Sequence, residues 1–161
     1  MARSRPTPQV IAHDPAALAA IMDDMAAAGR GWVNVLPEIP VDVPVPETPN
    51  ALAVFSKRGP VVPLGTWTPP AASKGEGRSG PPTEIGIQHG AAKRAKDALD
   101  GTDGAIPEGW RVLSDNPRRG VVVVPPQGTS TLAQATWLLA ALAAICIPPQ
   151  SGNFQLFRYA G

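Results

Sequence analysis

Two pairs of neighbouring cations stand where the chain turns back on itself: Lys57-Arg58 before Gly59, and Arg118-Arg119 before Gly120. Each is soon followed by valines, Val61-Val62 and Val121 to Val124, so each reads as the tip of a strand–turn–strand unit. Cations gathered at one end of a sheet would hold a carboxylate or a phosphate, with Arg gripping it bidentately. A further basic pair, Lys93-Arg94, lies one turn beyond His89-Gly90. If His89-Gly90 is a strand-to-helix junction, Gly90 would let an anion approach the free N–H groups of the first turn. The candidate anion-binding set is therefore Lys57, Arg58, His89, Gly90, Lys93, Arg94, Arg118 and Arg119. The plainer use of such residues is solvation of turns and exposed strand ends. No phosphate-loop or dinucleotide glycine pattern accompanies His89, so the junction carries no nucleotide signature.

Catalytic chemistry has thinner support. Ser130, His89 and Asp115 supply the residue types of a nucleophilic triad, but no nucleophile-elbow pattern surrounds Ser130. Gly128-Thr129-Ser130-Thr131 is already explained as the start of a helix, where a hydroxyl accepts an unpaired N–H. Asp23 and Asp24 are adjacent on a helical stretch, point about 100° apart, and read as a solvated face. Two histidines far apart and the lone Cys146, inside an apolar run, do not make a metal-ligand set. No catalytic residue, metal or cofactor is expected.

Positioning falls to elements legible from periodicity. Asp14-Pro15 opens a helix whose apolar stripe is Leu18, Ile21, Met22 and Met25, ended by Gly29 and Gly31. Strands are expected at 32–36, 52–55, 61–67, 83–88, 110–114, 121–124 and 153–159, the last at a sheet edge. Pro63 inside the third points to an edge or a bulge. The valine run at 121–124 suits a strand buried on both faces. A short alanine-rich helix is expected over 91–99. The longest apolar run, 132–147, reads as a helix with a capping box formed by Thr131 and Gln134. Short turns between strands imply antiparallel pairing. The expected fold is α+β: a mainly antiparallel sheet of five to seven strands with two or three helices packed against it.

Domain organisation follows from composition. A chain of 161 residues with 20 prolines and a net charge of +1 fits one modest core with long irregular connections. Residues 1–12 read as a flexible tail, 13–161 as a single domain, and 69–82 as a mobile Pro/Gly-rich loop. The near-neutral charge gives no general pull toward nucleic acid or anionic lipid. The basic N-terminus is followed by no apolar stretch of signal-peptide type, which points to the cytoplasm.

The helix at 132–147 carries the main functional expectation. Beyond Gln134 and Thr136 it has no polar face, and such a helix is buried on all sides or lies in a membrane. It is shorter than the roughly 20 residues that cross a bilayer, so the membrane reading ranks below. One sheet in a small chain offers little to cover it, so Trp137, Leu138, Ala141 and Ile145 are expected at an interface. The expected function is that of a small non-enzymatic cytoplasmic protein acting through contact with a protein partner or a second copy of itself. The alternative is a binding module for an anionic small molecule or nucleic acid, using the basic tips.

Overall fold

The computed structural model of the chain describes residues 6–45, 59–72, 75, 77 and 79–161. The elements run β1 (Gln9–Ala12), α1 (Pro15–Ala28), β2 (Trp32–Pro37), β3 (Leu64–Thr68), β4 (Glu84–Gln88), α2 (Ala95–Leu99), β5 (Arg111–Asn116), β6 (Gly120–Val124), α3 (Thr131–Ile145) and β7 (Asn153–Tyr159). The strands form one seven-stranded sheet in the order β1-β7-β2-β3-β4-β6-β5. Every neighbouring pair is antiparallel, including β1–β7, β2–β7 and β4–β6, which no direct connection joins.

Local chemistry sets the helix ends. Asp14 caps α1, its Oδ1 accepting the N–H groups of Ala16 and Ala17 at 3.0 and 3.3 Å, and Gly29 closes the helix in the left-handed conformation at φ +66°. Ser130, not Thr131, caps α3 and accepts Ala133 N–H at 3.1 Å. Gln134 is not the second half of a capping box. Its buried amide accepts from Trp67 Nε1 at 2.8 Å and donates to the Thr129 carbonyl at 3.0 Å.

Alternation along the strands sorts the sheet into two faces. Val33, Val35, Gly65, Trp67, Ile85, Ile87, Val121, Val123, Phe154 and Leu156 are buried on one face. They share one core with Leu18 and Met22 of α1, Leu99 of α2, and Leu138, Leu139 and Leu142 of α3. The helices thus form a single layer on that face. Trp32, Asn34, Leu36, Leu64, Thr66, Gly86, Val122, Gln155, Phe157 and Tyr159 occupy the other face and are half-buried.

Several sequence expectations change. Residues 9–12, read as part of a loose tail, are strand β1, which pairs Ile11 with Phe154 and buries Ile11. Because β1 takes its outer side, β7 lies inside the sheet and not at an edge. Pro63 marks no edge: β3 begins after it, at Leu64, and runs centrally between β2 and β4. Of the valine run, Val121, Val123 and Val124 are buried and Val122, on the open side, is half-buried. The expected strand at 52–55 lies outside the described residues.

The largest correction concerns α3. Trp137 is 4% exposed, Ile145 5%, and Leu138 and Ala141 not at all, so the four residues expected at an interface are core. Three things cover them within one chain. α1 and α2 pack on α3 from the sides. The connection between α2 and β5 lies against it, with the Gly104 backbone pressed so close that a Cβ there would stand 2.5 Å from Ala141 Cα. Trp137 Nε1 donates to the Gly104 carbonyl at 3.0 Å, and the Trp110 ring meets the Trp137 ring edge-on at 5.1 Å. The outward side of α3 is Leu132, Ala133, Thr136 and Ala144, mostly too small to form an apolar patch. Among the described residues no helix is long and apolar enough to cross a membrane.

Candidate functional site

The anion-binding set is only partly described, and the glycines that follow its two tips, Gly59 and Gly120, both stand against the backbone of Ile87 to His89. Lys57 and Arg58 lie outside the described residues. His89 is wholly buried, its Nδ1 accepting Ala91 N–H at 3.3 Å, which puts the neutral ring's proton on Nε2. Among the described residues that Nε2 has no hydrogen-bond partner. Burial lowers the His89 pKa below its ordinary 6.5, against the opposing pull of the nearby Asp115 carboxylate. Gly90 is buried beneath the carbonyls of Gly59 and Pro60. The helix expected from residue 91 starts only at Ala95, since Ala92 adopts φ +58° and breaks the helical path.

The first turn of α2 already holds an anion, and it is the chain's own. Asp115 of β5 accepts Ala95 N–H at 2.7 Å through one oxygen and Lys96 N–H at 3.0 Å through the other. Lys93 is exposed just before this turn, and Arg94 is exposed and paired with Asp97 at 3.2 Å. Arg118 and Arg119 sit at the β5–β6 turn, where Asn116 Oδ1 accepts both their backbone N–H groups at 2.9 and 3.2 Å. The residue types of a triad are likewise engaged elsewhere: Ser130 caps α3, and Asp115 caps α2. Cys146 donates to the Pro148 carbonyl at 3.5 Å, and burial pushes its thiol up to about 11. Among the described residues no group of three His, Cys, Asp or Glu side chains is placed to hold a metal ion.

Two of the concave features among the described residues bear on binding. The larger, a cleft of about 510 Å³, lies where α3 begins, walled by Pro81, Pro82, Pro125 and Pro126, with Trp67 and Arg111. Its buried polar groups are mutually satisfied through the Trp67–Gln134–Thr129 chain. Thr131 Oγ1 is engaged by Asp23 at 2.7 Å, and Thr129 Oγ1 by the Pro126 carbonyl at 2.7 Å.

The smaller feature is a groove of about 250 Å³ on the open sheet face, crossing β3, β4 and β6. Leu64, Thr66 and Val122 line it, Gly86 forms its floor, and Glu84 and Arg119 stand along it. Aromatic surface continues from it across β2 and β7. Trp32 and Tyr159 stack with centroids 4.9 Å apart and planes 8° from parallel, next to Phe157. Thr66 Oγ1 donates to Asn34 Oδ1 at 2.9 Å between them.

Gly86 distinguishes this groove from ordinary sheet surface. A glycine inside a strand loses backbone entropy and contributes no side chain to packing, so it needs a reason. Gly65 has one: a Cβ there would stand 2.7 Å from Leu138 Cδ1. At Gly86 the nearest atoms to an added Cβ are 3.8 and 3.9 Å away, on Val121 and Val122. Among the described residues nothing demands glycine there.

Sequence reasoning missed this face, though its signal was present. In β2 and β7 both parities carry apolar residues, Val33 and Val35 against Trp32 and Leu36, and Phe154 and Leu156 against Phe157 and Tyr159. A sheet with water on one side would alternate more cleanly. Compared with known protein families, curated proteins and solved structures, the chain matches none of them.

Proposed function

We propose that this protein works through protein–protein contact, without chemistry of its own, and that the contacting surface is the open face of its sheet. One observation carries the reading. All three helices pack on one side, and the other carries half-buried Trp32, Leu36, Leu64, Val122, Phe157 and Tyr159 set around the hydrogen-bonded Asn34–Thr66 pair. Contiguous apolar surface rimmed by polar groups is characteristic of contact sites. Aromatic residues are also enriched at interface centres, where they bury much area at small entropic cost. The contact surface thereby moves from α3 to the face farthest from it.

Carbene footprinting tests this. Labelling of Trp32, Leu36 and Phe157 should fall in a concentrated lysate of the protein's own cells relative to dilute purified protein. Equal labelling in both would count against the reading.

A second reading, a site for an anionic small molecule, draws on the 510 Å³ cleft and the exposed Arg111 at its wall. The volume is that of a small-molecule site. A thermal-shift screen of carboxylates and phosphorylated metabolites should then give stabilisation that Arg111→Ala removes. No shift from any compound would set it aside.

A further inference from the structure

We infer that the partner at the open sheet face is a second copy of this chain, seated on the Gly86 groove in a face-to-face, twofold-symmetric dimer. The inference rests on the open-face reading above and names its occupant.

The groove is self-complementary. Gly86 pairs with Val122 and Ile87 with Val121, so the β5–β6 turn bearing Arg119 lies at the Gln88 end of β4. Glu84 lies at the opposite end, beside Thr68. At about 3.3 Å per residue, acid and base are roughly 15 Å apart along the strand direction, with Gly86 near the middle. Neither side chain forms an ion pair among the described residues.

A twofold axis lying between two such sheets, crossing the strands at the level of Gly86, turns one copy end for end against the other. Glu84 of each copy then faces Arg119 of its mate, and both pairs form by one operation, as an isologous interface requires. The alternative axis, parallel to the strands, sets like charge against like and is disfavoured. Packed sheets stand about 10 Å apart, a spacing set by the side chains between them. A bare glycine at the crossing point lets Leu64 and Val122 of one copy enter the groove of the other. This supplies the reason for glycine that internal packing lacks. The net charge of +1 opposes the pairing very little.

Size sets the strength. The five strands from β7 to β6 span about 20 Å between outer axes and about 17 Å along their length, well below the roughly 800 Å² per partner of a standard interface even after side-chain relief is added. The dimer is therefore weak, with a Kd in the micromolar-to-millimolar range.

Sedimentation equilibrium on the full chain, carried to about 1 mM, reads the outcome. The wild-type protein should dimerise reversibly. Gly86→Val, at a position where an added Cβ meets nothing closer than 3.8 Å, should stay folded by circular dichroism and weaken dimerisation about tenfold or more. Glu84→Arg and Arg119→Glu should each weaken it, and the double reversal should restore it. Should Gly86→Val fail to fold, the charge-reversal set decides alone. A strictly monomeric wild type overturns the inference. So does a dimer that Gly86→Val leaves intact and that shows no recovery in the double reversal. A monomer whose open face is still protected in lysate removes the second copy and leaves the open-face reading standing. A monomer unprotected in lysate removes both.

Discussion

At the scale of single residues, Asp115, His89 and Cys146 are engaged or enclosed by the fold. Asp115 satisfies two N–H groups at the start of α2, a helix too short to stand without help. Asp115→Ala should cost about 1 kcal/mol in chemical denaturation, the usual effect of losing a capping side chain. His89 gives the fold a pH dependence. Its folded pKa lies below the unfolded value, so the unfolded chain binds the proton first. The stability due to the neutral ring is complete above the ordinary 6.5 and is lost as pH falls from there through the lowered folded value. Melting curves between pH 8 and pH 5, a range set about that ordinary value, should show falling Tm, and His89→Asn should flatten the profile. Cys146, with its thiol pushed up to about 11, should react with iodoacetamide at neutral pH far more slowly than in the denatured chain. Equal rates would show that the thiol is less shielded than its surroundings imply.

At the scale of elements, α3 and β4 decide the account. Trp137 belongs to the core, so Trp137→Ala should cost about 3 to 5 kcal/mol in the unfolding of dilute protein. A residue lying only at an interface would lose association and leave monomer stability almost unchanged. The strand glycines should behave oppositely. Gly65→Ala should destabilise by about 1 kcal/mol or more, because its Cβ enters the space of Leu138 and Leu142. Gly86→Ala should be neutral or stabilising by a few tenths to about 1 kcal/mol, since the site is open and alanine narrows the unfolded ensemble.

These elements also mark what the sequence made legible. Caps, alternation and turn residues placed α1, α3 and six of the seven observed strands, because those signals are local. The identity of the covering layer was not local. Nothing near Ala141 in the chain announces that Gly104 will lie against it, and α3 therefore read as uncovered. The start of α2 was misplaced because its cap comes from Asp115, far along the chain. The short β1 carried too few residues to show a period and exists because β7 offers it an edge. The groove was hidden because a glycine without neighbours looks in sequence just like a glycine that is packed.

At the scale of the molecule, the organising fact is asymmetry: one layer of helices, one sheet, and half-buried apolar residues among polar ones on the side the helices leave open. Such a sheet loses part of its hydrophobic stabilisation to water unless something covers it. Gly86, Glu84 and Arg119 are the grounds on which a second copy is proposed as the occupant. The most direct test is a dilution series of two-dimensional NMR spectra from about 1 mM to about 10 µM. Concentration-dependent shifts should gather on Leu36, Leu64, Thr66, Gly86, Val122 and Phe157, while Leu132, Ala133 and Thr136 on the outward side of α3 stay fixed. Shifts gathered on α3, or no shifts at any concentration, would contradict it.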